Sequence, residues 1–133
     1  MTAETAAVTR HVGTYPGRAE QVRHVRRAVA AYLAGCPATD DAVLIASELA
    51  ANAILHSQSR GGHFTIRAEL HPDYVLIEAE DLGGPWRRRP SGDRPHGLTI
   101  VEALTGPEGW GVKTTSKSGR TVWARLDLEG TGE

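Results

Sequence analysis

Residues 39–56 constrain the fold of this chain most, because they form a predicted helix with almost no polar surface. Their central run, residues 47–56, reads Ser-Glu-Leu-Ala-Ala-Asn-Ala-Ile-Leu-His. At about 100° per residue, the polar side chains of Asp41, Glu48 and Asn52 fall within one narrow stripe of the helix. Glu48 and Asn52 are one turn apart, so their Cβ atoms are expected to be about 5–6 Å apart.

This pair of polar side chains has two interpretations. A carboxylate beside an amide suits a general base that works next to an oxygen ligand of a hard cation. A solvated helix face also explains Glu48 and Asn52, and it is the simpler interpretation for these two residues alone. The choice between the two depends on the rest of the chain.

Length and composition indicate a single domain. The chain has 133 residues, enough to bury a core, and we expect one domain over residues 8–128 with frayed tails at 1–7 and 129–133. A formal net charge of −1 gives no sign of nucleic acid or an anionic membrane as a partner. The single cysteine, Cys36, fits a reducing compartment, and no run resembles a signal peptide or a membrane span. We therefore expect a cytoplasmic protein.

Apolar periodicity predicts the element order β-α-α-β-β-loop-α-β-β. The predicted strands cover residues 8–14, 64–70, 74–81, 110–115 and 121–128, and the predicted helices cover 18–34, 39–56 and 97–104. The strands alternate apolar with polar residues, whereas the helices repeat apolar residues every three or four positions. Because helices and antiparallel strands segregate along the chain, we expect a two-layer α/β (α+β) sandwich.

Two further motifs follow the apolar helix. In the first, Asp81 ends a strand and is followed by Leu-Gly-Gly-Pro. A carboxylate there can accept a hydrogen bond from an exocyclic amine such as that of adenine, and Gly83 and Gly84 let a ligand approach the backbone closely. In the second motif, His96 precedes a helix that begins at Gly97, whose free N–H groups can bind phosphate oxygens.

The loop between these motifs contains four arginines, Arg87, Arg88, Arg89 and Arg94, which can pair with phosphates or with a partner. Each feature has an ordinary explanation when it is taken singly. The glycines can form a simple turn, Gly97 can be no more than a helix start, and an arginine-rich loop is usually solvated. What indicates a function is that the three motifs follow one another in this order along one chain.

Together the motifs resemble those of the histidine-kinase-like ATPase superfamily, which includes sensor kinases, type II topoisomerases and anti-sigma-factor serine kinases. The run at 47–56 is similar to its asparagine box, Asp-Leu-Gly-Gly at 81–84 to its first glycine box, and His-Gly-Leu-Thr-Ile-Val at 96–101 to its second. Tyr-Pro-Gly at 15–17, Trp-Gly-Val at 110–112 and Gly-Arg-Thr-Val-Trp at 119–123 resemble small members of the anti-sigma regulatory branch. The resemblance implies a mixed, mostly antiparallel sheet covered on one face by three helices.

The resemblance also implies roles for the motif residues. Asn52 would bind the Mg²⁺ that bridges the ATP phosphates, and Glu48 would be the general base that activates the attacking hydroxyl or water. Asp81 would hold the adenine amino group, and the arginines of residues 87–95 would belong to a lid over the phosphates. The remaining nucleotide-binding residues would be His56, Gly83, Gly84, His96, Gly97, Leu98 and Thr121.

The sequence departs from the family pattern at two glycine positions. Pro85 stands where the first glycine box usually has its second glycine, and Pro95 stands where the second box usually has its first. Proline lacks an N–H and fixes φ, so two phosphate donors or hinge points are lost. These departures argue against tight phosphate binding and hydrolysis more than against adenine binding.

Three functions remain open at this point. The presence of Glu48 favours an ATP-binding regulator that transfers the γ-phosphoryl group of MgATP to a small anti-anti-sigma (antagonist) protein and sequesters a sigma factor. The alternative is a non-catalytic module that binds a partner on the same fold, with or without a nucleotide. A plain ATP hydrolase fits least, because small members of this branch lack a transducer domain. The resemblance also makes a homodimer plausible.

Overall fold

The computed structural model of the chain describes residues 8–55, 62–81, 96–114 and 119–128, and the predicted tails lie outside them. The elements are β1 (Thr9–Pro16), α1 (Val22–Tyr32), α2 (Thr39–Leu55), β2 (His63–Leu70), β3 (Tyr74–Asp81), α3 (His96–Thr105), β4 (Trp110–Thr114) and β5 (Arg120–Asp127). The predicted order is confirmed. The helix predicted from residue 18 begins as a 3-10 turn at Ala19–Gln21 before α1. Within the described ranges, no helix is long and apolar enough to span a membrane.

The strands form one sheet in the order β1-β2-β3-β5-β4. Each of the four pairings between these strands is antiparallel. In the middle of the sheet, Ala79 of β3 lies opposite Ile66 of β2 on one side and Val122 of β5 on the other. The described sheet is therefore antiparallel throughout rather than mixed, and with its helix layer it confirms the predicted two-layer sandwich.

The helix α2 lies at the centre of the helix layer, where it contacts α1, α3 and the strands β2, β3 and β5. Ile45, Leu49 and Ala53 of this helix are all 0% exposed. They belong to one core with apolar side chains of the three central strands, namely Phe64, Ile66, Ala68, Val75, Ile77, Ala79, Val122, Ala124 and Leu126. Because burial of a large apolar side chain is worth about 1.5–3 kcal/mol, this contact holds the two layers together.

The opposite face of the sheet carries charged side chains that neutralise one another. Arg67 contacts Glu78 at 2.9 Å and Glu80 at 2.8 Å, and Lys113 lies 3.5 Å from Glu78. These side chains are partly exposed to solvent, so each pair contributes only about 0–1 kcal/mol. An apolar face toward the helices and a charged face toward solvent explain the period-two pattern of the strands.

The connection between α1 and α2 sets where the central helix begins. Gly35 has a φ of 88°, a left-handed conformation that glycine adopts without steric cost. The hydroxyl of Thr39 donates hydrogen bonds to the carbonyl oxygens of Leu33 at 2.7 Å and Cys36 at 2.6 Å. This short connection packs α2 against α1 and directs its later turns over the sheet.

Leu49 and Leu44 provide a matched test of the burial of α2. Leu49 is 0% exposed, whereas Leu44 on the same helix is 39% exposed. We expect Leu49→Ala to lower the free energy of unfolding by about 2–5 kcal/mol because it leaves a cavity in the core. Leu44→Ala should cost no more than about 1 kcal/mol. Urea unfolding of both variants measures the difference, and equal losses would contradict this orientation of the helix.

Candidate functional site

Glu48 and Asn52 lie one turn apart in α2, as predicted, but at different depths. Glu48 is half-buried, whereas Asn52 is 3% exposed. Asp41, at the start of the same stripe, is exposed. The polar stripe therefore runs along one helix from the surface into the interior of the protein.

The side-chain amide of Asn52 is buried, and the described part of the chain does not supply the partners that an amide requires. Neither Oδ1 nor Nδ2 has a hydrogen-bond partner among the described residues. An amide left unsatisfied in the interior costs about 1–3 kcal/mol, so such groups are rare and call for an explanation. A carbonyl-type oxygen such as Oδ1 is a ligand that Mg²⁺ prefers, and the residue therefore fits the role of a magnesium ligand.

Glu48 lines a surface cavity of about 480 Å³ between α1 and α2. Arg26 and Ala30 of α1 form one wall, and the α2 wall consists of Thr39, Asp40, Val43, Leu44, Ser47 and Glu48. A cavity of this size can hold a small ligand or the side chains of a bound segment. Asn52 is not among its lining residues, so within the described part of the chain the carboxylate and the amide have different surroundings.

Asp81, the residue predicted to hold an amine, ends β3 and is 4% exposed. Opposite it in the β3–β5 pairing stands Arg120, the first residue of β5, which is 5% exposed. The Nε atom of Arg120 lies 3.6 Å from Oδ1 of Asp81. Because an unpaired buried carboxylate is costly, this cation explains how a charged side chain is retained at the edge of the apolar core.

Arg120 is the residue of this site that the sequence analysis missed. Burial lowers the pKa of Arg120, and the charge of Asp81 together with hydrogen bonding to it opposes the shift. The ordinary pKa of arginine is so high that the guanidinium remains charged at neutral pH. Arg120 can be identified as a site residue only from its position opposite Asp81, and that position follows from the register of β3 and β5.

Thr121, which was predicted to contribute to the nucleotide site, lies opposite Glu80 on one side and Lys113 on the other. Successive side chains of a strand point to opposite faces of the sheet. Thr121 is 1% exposed, but its side chain is on the face away from the one shared by Asp81 and Arg120. The structure therefore does not bring Thr121 together with Asp81.

The second glycine motif lies at the start of α3, which begins at His96 with Gly97 in its first turn. Leu98 is 1% exposed and belongs to the core. The helix packs against α2 and β5, the elements that carry Asn52 and Arg120. The helices that carry the predicted asparagine box and second glycine box are therefore in contact.

The remaining predicted site residues lie outside the described residues. They are His56, Gly83, Gly84 and the lid arginines Arg87, Arg88, Arg89 and Arg94. Pro85 and Pro95, the two departures from the family pattern, lie there as well. The roles given to these residues stay predictions.

Comparison with known proteins agrees with the motifs. A family model described as a histidine kinase-like ATPase domain matches residues 15–122. This range includes α2, β3 and α3, which carry the three sequence motifs. No curated protein matches the sequence.

The buried amide of Asn52 leads to a prediction about stability. Asn52→Leu keeps the branched shape of the side chain and removes the unsatisfied polar atoms, so the ligand-free protein should gain about 1 kcal/mol or more in its free energy of unfolding. Ser47→Ala is the matched control, because the Ser47 hydroxyl already donates to the carbonyl oxygen of Leu44 at 2.8 Å. Denaturant unfolding without nucleotide measures both variants. A loss of stability in Asn52→Leu would mean that the amide is satisfied in the native protein.

Proposed function

This chain belongs to the histidine kinase-like ATPase family, and on that premise we propose that it is a cytoplasmic anti-sigma-type regulator. It binds MgATP and transfers the γ-phosphoryl group to a serine or threonine hydroxyl of a small antagonist protein. The observation that carries this proposal is the buried amide of Asn52, which lacks a hydrogen-bond partner among the described residues. A bound cation can be coordinated by Oδ1 of this amide, and oxygen atoms of a ligand can accept hydrogen bonds from its Nδ2.

Asn52 is suited to hold the cation of the bound nucleotide through Oδ1. Mg²⁺ commonly binds through one or two protein ligands, with phosphate oxygens and water completing its octahedral shell. The described residues contain no group of three or more His, Cys, Asp or Glu side chains that could hold a metal by themselves. When bound, the cation neutralises charge on the phosphates.

In this proposal Glu48 acts as the general base. It is half-buried, one turn from Asn52, and it lines the cavity between α1 and α2 through which a hydroxyl can approach. Its carboxylate accepts the proton of the acceptor hydroxyl while the hydroxyl oxygen forms a bond to the γ-phosphorus. The bond from the γ-phosphorus to the bridging oxygen breaks at the same time, and ADP leaves.

Asp81 holds the base end of the nucleotide in this proposal. The whole residue is 4% exposed at the end of β3, and its carboxylate can accept a hydrogen bond from the exocyclic amine of adenine. Backbone N–H groups of Gly97 and the first turn of α3 donate hydrogen bonds to the phosphates in this proposal. The arginines of residues 87–95 close over them. The sequestered partner is a sigma factor, and a homodimer is the proposed assembly.

A second function, that of a non-catalytic switch, is favoured by one feature of the sequence. Pro85 and Pro95 replace two glycines of the family motifs and remove backbone N–H donors. A protein of this kind would bind nucleotide through Asp81 and Asn52 and change its affinity for a partner without phosphotransfer. The test below separates the two functions.

Glu48→Gln tests the assignment of the base. The variant should bind MgATP like the wild type but transfer labelled γ-phosphate to a cognate antagonist about 10²–10⁴-fold more slowly, because the amide cannot take the proton. Asp41→Asn is the matched control: it removes a carboxylate from the same helix stripe at an exposed position, and its rate should be unchanged.

Three other results of this assay would each point elsewhere. Equal transfer rates for Glu48→Gln and wild type would contradict the role of Glu48. Nucleotide binding without any transfer by the wild type would favour the non-catalytic switch. Rapid turnover of ATP without a protein partner would favour the hydrolase.

A further inference from the structure

At the helix-facing side of the sheet, a pair of opposite charges joins the end of β3 to the start of β5. Asp81 and Arg120 stand directly opposite one another in the strand pairing, with 3.6 Å between Oδ1 and Nε. Their side chains are 0% and 6% exposed, respectively. Both charges are therefore withdrawn from water, and each is the immediate electrostatic neighbour of the other.

On the helix-facing side of the sheet, the described side chains of the strands around this pair are apolar. Along β2, β3 and β5, the other described side chains on the helix-facing side belong to the apolar core, from Phe64 through Ile77 to Leu126. Burial in such surroundings favours the neutral form of a carboxyl group, and a cation within about 4–6 Å favours the charged form. Arg120, whose Nε lies 3.6 Å from Oδ1 of Asp81, therefore favours the ionised form of this carboxyl group.

The ionisation state of Asp81 decides which base it can recognise. An ionised carboxylate can only accept hydrogen bonds, whereas a protonated carboxyl group can also donate one. Adenine presents an amine at the relevant position, and hypoxanthine presents a carbonyl oxygen in its place. An ionised Asp81 therefore attracts the amine and repels the carbonyl oxygen, but a protonated Asp81 can bind either.

We propose that Arg120 is a specificity-determining residue of the nucleotide site, which selects an exocyclic amine over a carbonyl oxygen by keeping Asp81 ionised and acceptor-only. This inference rests on the proposed function, because it assumes that Asp81 binds the base of a nucleotide. It assigns to Arg120 a positioning and charge-setting role that acts through Asp81. Thr121, its neighbour on β5, lies on the other face of the sheet and does not share this role.

Isothermal titration with ATP and with ITP tests the inference, since the two ligands have the same ribose and triphosphate. Their ratio of dissociation constants reports the base contact alone. Wild type should prefer ATP by about a hundredfold or more, because the wrong base leaves buried polar groups unpaired. Arg120→Gln should reduce this ratio at least tenfold. Arg120→Lys keeps the positive charge, so the ratio in this variant should remain within about threefold of the wild-type ratio.

Two further variants separate this role from a merely structural one. Arg125→Gln neutralises an exposed arginine of the same strand, which contacts Asp127 at 2.9 Å, and it should leave the ratio unchanged. The single variant Asp81→Asn should no longer prefer ATP over ITP. Adding Arg120→Gln to Asp81→Asn should not change the ratio of dissociation constants further. The double variant also avoids an unpaired buried charge, so it remains a usable protein if Arg120→Gln alone does not fold.

The outcomes distinguish this inference from the function on which it rests. An ATP preference that survives in Arg120→Gln would overturn the role of Arg120 while leaving ATP binding intact. A further loss on adding Arg120→Gln to Asp81→Asn would also overturn it, because Arg120 would then act on the ligand independently of Asp81. Failure of wild type to bind either nucleotide would instead refute the proposed function, and this inference with it.

Discussion

The burial of α2 is the constraint on which the rest of the structure depends. This helix contacts two helices and three strands, and its residues Ile45, Leu49 and Ala53 are fully buried between them. A polar side chain on its inner side cannot reach water, and Asn52 places an amide there without a partner among the described residues. If Asn52 binds the cation as proposed, packing and ligand binding compete at this one position, as is typical of functional sites.

A second polar feature lies where the apolar face of the sheet ends. Asp81 and Arg120 occupy the last position of β3 and the first position of β5, and both strands contact α2. The same core that excludes water from Asn52 also excludes it from this pair. Because charges interact more strongly in low-dielectric surroundings, the contact with Arg120 favours the ionised form of the Asp81 carboxyl group, which is the basis of the specificity proposed for it.

The sequence motifs predicted the elements of the fold well, because apolar periodicity is a local property of each segment. The depth of Glu48 and Asn52 was not predictable in the same way. Helical spacing gives the angle between two side chains, but which of them is covered depends on where α1, α3 and the sheet pack. The cavity that Glu48 lines and the burial of Asn52 both arise from that packing.

Arg120 and Thr121 show how far the sequence alone predicts which side chains of a strand face a site. The predicted strand began at Thr121, whereas β5 begins one residue earlier, at Arg120. Because strand side chains alternate between faces, a difference of one residue decides which side chain meets Asp81. That difference depends on pairing with β3, which lies far away in the sequence and cannot be read from local composition.

Calorimetric titration of ATP, with and without Mg²⁺, on wild type and Asn52→Ala tests the central claim most directly. The claim is that the buried amide of Asn52 exists to hold the cation of a bound nucleotide. It predicts that Mg²⁺ strengthens the binding of ATP to wild type and has no such effect on the variant. Binding by wild type that does not respond to Mg²⁺, or an equal response in Asn52→Ala, would contradict the claim.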